Sequence, residues 1–152
     1  MKKPKAAIVM GSKSDMPIME KAERIFKEFG VECEIIVSSA HRQPARTRSF
    51  AMSFKKKGVD IVIAAAGKAA HLPGVVASWV TVPVIGVPIS SAPLNGIDSI
   101  LSIAQMPKGV PVACVGINES ENAALLAIQI LGFKYPVLAR KFGAYKKKLA
   151  KA

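Results

Sequence analysis

The chain has 152 residues, 51% of them hydrophobic, and its 22 Lys and Arg outweigh 10 Asp and Glu for a formal net charge of +12. That length is one domain's worth, and the apolar fraction supports a buried core, which excludes a disordered chain. No apolar run approaches the ~20 residues of a membrane-spanning helix, and Ala6–Met10 is too short for the core of a signal peptide, so a cytoplasmic location away from membranes is expected.

In chain order, Ala6–Met10 is a short apolar run that ends at Gly11-Ser12-Lys13-Ser14-Asp15. Ile18, Ala22, Ile25, Phe26 and Phe29 then recur at helical spacing until Gly30. Glu32–Val37 reads as a second strand, and Pro44 suits the first turn of a helix running to about Lys57, stopped by Gly58. Asp60–Ala64 is a third strand, Ala65–Gly74 a loop of small residues, and Val75–Val80 part of a helix. Val82–Val87 is a fourth strand, Pro88–Gly96 a wide loop and Ile97–Gln105 a helix. Val110–Val115 makes a fifth strand, Asn122–Leu131 an apolar helix, and a basic tail helix begins near Tyr135-Pro136.

Strands that each lead into a helix, and that read as continuous Val/Ile/Ala runs, predict a parallel sheet covered on both faces. The expected fold is therefore α/β: a three-layer αβα sandwich around a five-stranded parallel, flavodoxin-like sheet, with a C-terminal helical tail. Residues 1–152 form one domain, and 133–152 are its tail. Right-handed crossovers bring every strand-to-helix loop to one edge of the sheet, where ligands of open α/β folds bind.

Those loops hold the chemistry. His41 and His71, the only histidines, both fall in them, together with Ser12, Asp15, Arg42, Ser90 and Ser91. Gly11–Asp15 follows a strand and opens a helix, so its amides and hydroxyls suit a phosphate, while Asp15 suits a ribose hydroxyl or a helix cap. In Ser39-Ala40-His41-Arg42 an imidazole able to carry protons at cellular pH adjoins a guanidinium fork that fits a phosphate or carboxylate. Ala65–Gly74 presents side chains small enough to let backbone approach a flat ligand, with His71 lining the pocket or holding the loop.

The lysine clusters 55–57 and 146–148 lie at probable helix ends, where they complement the dipole, and they lack the interleaved aromatics of a base-stacking surface. No nucleic-acid partner is expected. A non-enzymatic nucleotide- or RNA-binding module using this surface is the reading from another class. Cys33 and Cys114 are read as small buried hydrophobes, and Trp79 and Met106 as core or interface. No metal-ligand spacing, GxSxG elbow, Walker motif or GxGxxG occurs. Acid–base chemistry by one imidazole on an anionic substrate, with neither metal nor cofactor, is the expectation that remains.

Met10-Gly11-Ser12-Lys13-Ser14-Asp15, Ser39-Ala40-His41-Arg42-Gln43-Pro44, Ala69-Ala70-His71-Leu72-Pro73-Gly74 and the Asp98–Pro107 stretch together strongly resemble the N5-carboxyaminoimidazole ribonucleotide mutases of purine biosynthesis. The resemblance runs from about Ala6 to Leu131. It implies conversion of that nucleotide to 4-carboxy-5-aminoimidazole ribonucleotide without ATP, metal or organic cofactor. The expected route, on chemical grounds, holds CO2 as a bound intermediate against the small-residue loop near His71. By matching position, Ser12, Asp15 and Arg42 would bind the nucleotide and His41 would be the general acid/base. Ser14, Ser39, Ala40, Gly67, Lys68, Ala69, His71, Leu72 and Ser90 would complete the substrate pocket. A homo-octamer is implied as well, with the apolar helix near Ala123–Ile128 and the tail from Phe133 fitting burial between subunits. One position departs: Lys68 stands where the family usually has Gly. The related animal-type carboxylases, which take free CO2, tend to carry a basic residue there, so direct carboxylation of aminoimidazole ribonucleotide is the alternative.

Overall fold

The computed structural model describes residues 3–151. Five strands form one sheet: β1 (Lys5–Met10), β2 (Glu32–Val37), β3 (Ile61–Gly67), β4 (Val84–Ile89) and β5 (Ala113–Cys114). Their order is β2-β1-β3-β4-β5 and every pairing is parallel. The helices are α1 (Met16–Phe29), α2 (Pro44–Met52), α3 (Phe54–Lys57), α4 (Leu72–Trp79), α5 (Ile97–Ala104), α6 (Ser120–Leu131) and α7 (Pro136–Leu149). This is the expected sandwich, and the strand order places its switch point between β1 and β3.

Alternation within the central strands sorts their side chains into two cores. Ile8, Met10, Ile61, Ile63, Ile85 and Val87 face α1, α6 and α7, where they meet Met19, Phe26, Ala124, Ile128 and Leu138. Ala7, Val9, Val62, Ala64 and Val84 face the other way, toward Phe50, Phe54, Leu72, Val76 and Ile103. Both faces are dry, which is why these strands read as unbroken apolar runs. Trp79 is half-buried against the second core, and Met106 packs against α4, where its Cε lies 2.8 Å from the place a Cβ on Gly74 would occupy.

Helix ends follow local chemistry. Gly30 and Gly58 adopt φ of +81° and +70° and close α1 and α3 in the left-handed conformation that their missing Cβ permits. Several boundaries differ from the sequence reading. The third strand is Ile61–Gly67 instead of Asp60–Ala64 and the fourth is Val84–Ile89 instead of Val82–Val87, because Ala65–Gly67, expected in a loop, go on pairing with Val87–Ile89. The helix expected from Pro44 to Lys57 breaks at Ser53, whose hydroxyl donates to Phe50 O at 2.6 Å, a side-chain bond that competes with the helical ladder. The helix expected from Val75 begins at Leu72, because Pro73 and Gly74, although poor in a helix interior, are tolerated in a first turn. The helix expected from Asn122 begins two residues earlier, at Ser120. The fifth strand shrinks from six residues to Ala113–Cys114, since it is an edge strand and Pro111 has no N–H for the ladder.

At the amino-terminal edge of the sheet Asp60 clasps two other segments. Its carboxylate accepts from Lys134 Nζ at 2.6 Å, Tyr135 OH at 2.8 Å and the Lys5 amide at 3.1 Å. Burial pushes the Asp60 pKa up, but these donors outweigh it and hold the carboxyl below its ordinary value. Cys33 and Cys114 are free and half-buried rather than fully buried. Burial, helped by Glu23 and Glu34, pushes the Cys33 thiol up to about 12, which leaves it unreactive. No helix among the described residues is long and apolar enough to cross a membrane.

Candidate active site

The loops after β1, β2, β3 and β4 leave the sheet at its carboxyl edge and surround a half-open cavity of about 660 Å3. It straddles the β1/β3 switch point, where adjacent loops part in opposite directions.

The first loop contributes Ser12, Ser14 and Asp15. Ser12 Oγ accepts from the Ser14 amide at 3.3 Å and lies 2.8 Å from the Ser14 hydroxyl oxygen, which winds residues 13–15 into one 3-10 turn at the foot of α1. Asp15 occupies the cap position of α1, yet its carboxyl makes no cap bond to that helix and accepts from the Ser14 hydroxyl at 3.2 Å. It is 6% exposed. Burial raises its pKa, with the Ser14 and Ser12 contacts only partly offsetting this. A buried carboxylate with spare lone pairs lining a cavity is able to accept ligand hydroxyls.

The second loop contributes Ser39, Ala40, His41 and Arg42. Ser39 Oγ accepts from the Arg42 amide at 3.3 Å, and the Arg42 guanidinium donates to Gly11 O at 3.0 Å. That bond ties the second loop to the first and holds the guanidinium beside the serine turn. Beneath it, buried Ser38 and Thr47 share a hydroxyl–hydroxyl bond of 2.8 Å that anchors the start of α2.

The third loop contributes Gly67, Lys68, Ala69 and, at the start of α4, Leu72. Lys68 adopts φ +53°, a left-handed conformation that favours glycine and costs a lysine about 1 kcal/mol. The buried Ser99 hydroxyl shares its single proton between the Lys68 carbonyl at 3.3 Å and Ile89 O at 3.1 Å, so α5 braces both loops. His71 is the one predicted residue that does not line the cavity wall; instead its Nδ1 lies 2.9 Å from His41 Nε2, with the rings edge to face. One nitrogen of that pair donates and the other accepts, so each ring selects the other's tautomer.

The fourth loop contributes Ser90, whose amide donates to Asn118 Oδ1 at 2.9 Å. Ser91 also lines the cavity, and its buried hydroxyl has no partner. Gly11, Ile18, Ala66 and Ile89 complete the lining. The sequence reading left these four out of its site because apolar residues at strand and helix ends carry no chemical signature. The two histidines are 30 positions apart in sequence, and nothing in the spacing showed that they bond to each other. Among the described residues no three His, Cys, Asp or Glu side chains cluster as a metal cage.

A parallel αβα sandwich with hydroxyls, a carboxylate, a guanidinium and paired imidazoles converging over its switch point defines an α/β enzyme for a small anionic ligand. Residues 5–152 match the AIR carboxylase family. The N5-carboxyaminoimidazole ribonucleotide mutase of Pyrococcus horikoshii is 54% identical over 145 residues, covering 95% of this chain and 82% of that one. That of Thermotoga maritima is 52% identical, covering 96% and 85%. The phosphoribosylaminoimidazole carboxylase of Saccharomyces cerevisiae is 54% identical over 132 residues, 87% of this chain but 23% of the longer yeast protein. The crystal structure of Treponema denticola PurE superposes with a TM-score of 0.88 at 32% identity, covering 98% of this chain and 93% of that one. The chain belongs to the AIR carboxylase family, and it is a mutase-type enzyme of purine biosynthesis.

Proposed function

We propose that the chain converts N5-carboxyaminoimidazole ribonucleotide to 4-carboxy-5-aminoimidazole ribonucleotide, with His41 as general acid and base. The observation that carries this reading is the juxtaposition in one cavity of His41, held by His71 at 2.9 Å, with the Ser12–Asp15 turn and Arg42. The names of the relatives supply the substrate.

The phosphate seats on the Ser12 and Ser14 hydroxyls and Arg42, and Asp15 accepts from the ribose hydroxyls. The bond between the exocyclic nitrogen and the carboxylate breaks, its electron pair stays on nitrogen, and His41 donates the proton that nitrogen takes up. The released CO2 remains against the small walls of Ala40, Gly67 and Ala69. The ring carbon forms its new bond to that CO2, and the proton it loses returns to His41, so the imidazole ends as it began. Holding CO2 in place turns a bimolecular capture into an effectively unimolecular step, worth several kcal/mol. Replacing His41 by Asn is expected to lower kcat at least ~100-fold with the fold intact by circular dichroism. Turnover near the wild-type rate rejects the assignment.

The second reading is direct carboxylation of aminoimidazole ribonucleotide by free CO2. Lys68 in the cavity lining and the name of the yeast relative favour it. An assay that offers each substrate in turn separates the two.

We further propose assembly through the tail, as a homo-octamer. α7 packs on its own subunit, where Lys141 Nζ donates to Phe29 O at 2.8 Å, yet Phe133, Val137 and Leu149 stay exposed, Phe133 at 93%. Light scattering after size exclusion is expected to give eight chains; a monomeric mass at micromolar concentration refutes this.

A further inference from the structure

A second hollow of about 490 Å3 adjoins the cavity and shares Gly11, Ser12 and Arg42 with it. Its remaining walls include Lys13, Gln43 and Arg46. No acidic side chain lines it, and among the described residues none of Lys13, Arg42 and Arg46 lies within 4 Å of a carboxylate. Three cations thus face one hollow with no counter-charge.

Their positions sharpen the point. Arg46 lies in the first turn of α2, which carries no acidic residue, and the side chain of Gln43 leaves that helix uncapped. Lys13 opens the turn that leads into α1. A helix start is the positive end of its dipole, so Arg46 stands where the backbone field disfavours it. Arg42, pinned to Gly11 O, forms the boundary between this hollow and the active-site cavity. An anion placed there relieves the repulsion among the cations and the repulsion from the start of α2 together.

We propose that Lys13, Arg42 and Arg46 form an outer phosphate subsite, which captures the phosphoryl end of the substrate before it passes Arg42 and seats on the Ser12–Ser14 turn. This rests on the function proposed above for the reaction itself, but the anion-binding step is independent of it. Focused positive charge raises encounter rates with an anionic ligand without altering the chemical step, so its signature lies in kcat/KM and in salt dependence.

The test is the double variant Lys13→Gln/Arg46→Gln, both sites being exposed, with an unchanged melting temperature as the check on folding. At low salt kcat/KM is expected to fall about 5- to 10-fold with kcat within about twofold, and the gap is expected to close near 1 M salt, where the screening length is ~3 Å. Arg46→Lys, which keeps the charge, is expected to retain most of the wild-type kcat/KM. In parallel, calorimetric titration with inorganic pyrophosphate is expected to show binding to the wild type and at least ~5-fold weaker binding to the double variant. Equal salt slopes for the two proteins, or equal pyrophosphate affinity, overturn the subsite. If the wild type fails to turn over N5-carboxyaminoimidazole ribonucleotide, the proposed reaction falls, and the pyrophosphate titration still decides this inference alone.

Discussion

In the proposed nucleotide seat Asp15 sets ligand binding against stability, and replacing it by Asn measures both. The side chain is 6% exposed, accepts one hydroxyl bond at 3.2 Å, and forms no bond to the amides of α1 although it stands at their head. Its raised pKa means that burial outweighs the contacts that favour the charge. The sign follows directly. A carboxyl whose folded pKa lies above its unfolded value, about 3.9, makes its most favourable contribution below that value and loses it as pH rises through the folded pKa. At pH 7 the charged form therefore costs the folded state free energy. Asn keeps the shape and the Ser14 contact and removes the charge, so Asp15→Asn is expected to melt at or above the wild-type temperature at pH 7. That advantage shrinks as pH falls through the raised pKa of the folded carboxyl, and is gone below the unfolded value. Catalysis moves the other way. A hydrogen bond from a ligand hydroxyl to a charged acceptor is worth about 1.5–3 kcal/mol, so kcat/KM is expected to fall roughly 10- to 150-fold. Scanning calorimetry from pH 4 to 8 and steady-state kinetics on the same samples read both effects. A variant at least ~2 kcal/mol less stable at pH 7, or one with full kcat/KM, refutes the reasoning.

Asp60→Ala removes the acceptor for Lys134, Tyr135 and the Lys5 amide, and is expected to cost about 2–4 kcal/mol, or roughly 5–12 °C in Tm. Because the folded pKa of Asp60 is lowered, its contribution is fully present above about 3.9 and is lost as pH falls through the folded value, so the gap between wild type and variant should narrow only in strong acid. Lys68→Gly relieves a left-handed backbone at φ +53° and is expected to raise stability by about 0.5–1 kcal/mol, read as a denaturation midpoint. The same variant tests the donor: if Lys68 serves free CO2, activity with aminoimidazole ribonucleotide plus bicarbonate drops while mutase turnover stays.

The strand-and-loop rhythm was legible because its signals are local. Continuous apolar strands, stop glycines at 30 and 58, and Pro44 opening a helix each act through neighbouring residues; the glycines and Pro44 act where expected, and the five strands appear in order with shifted ends. The topology rule then carried the loops to one edge without knowledge of any contact, and Ser12, Asp15, His41, Arg42, Lys68 and Ser90 do share one cavity.

What depended on the three-dimensional fold was pairing. That His71 bonds His41 instead of lining the wall, that Arg42 reaches back to Gly11, and that Ser99 braces the Lys68 carbonyl are contacts between residues about 30 positions apart. Fold and loop positions follow from periodicity and backbone preference, which act within a turn or a strand. Partners depend on where crossovers of different lengths deliver two side chains, and only the packed tertiary structure decides that.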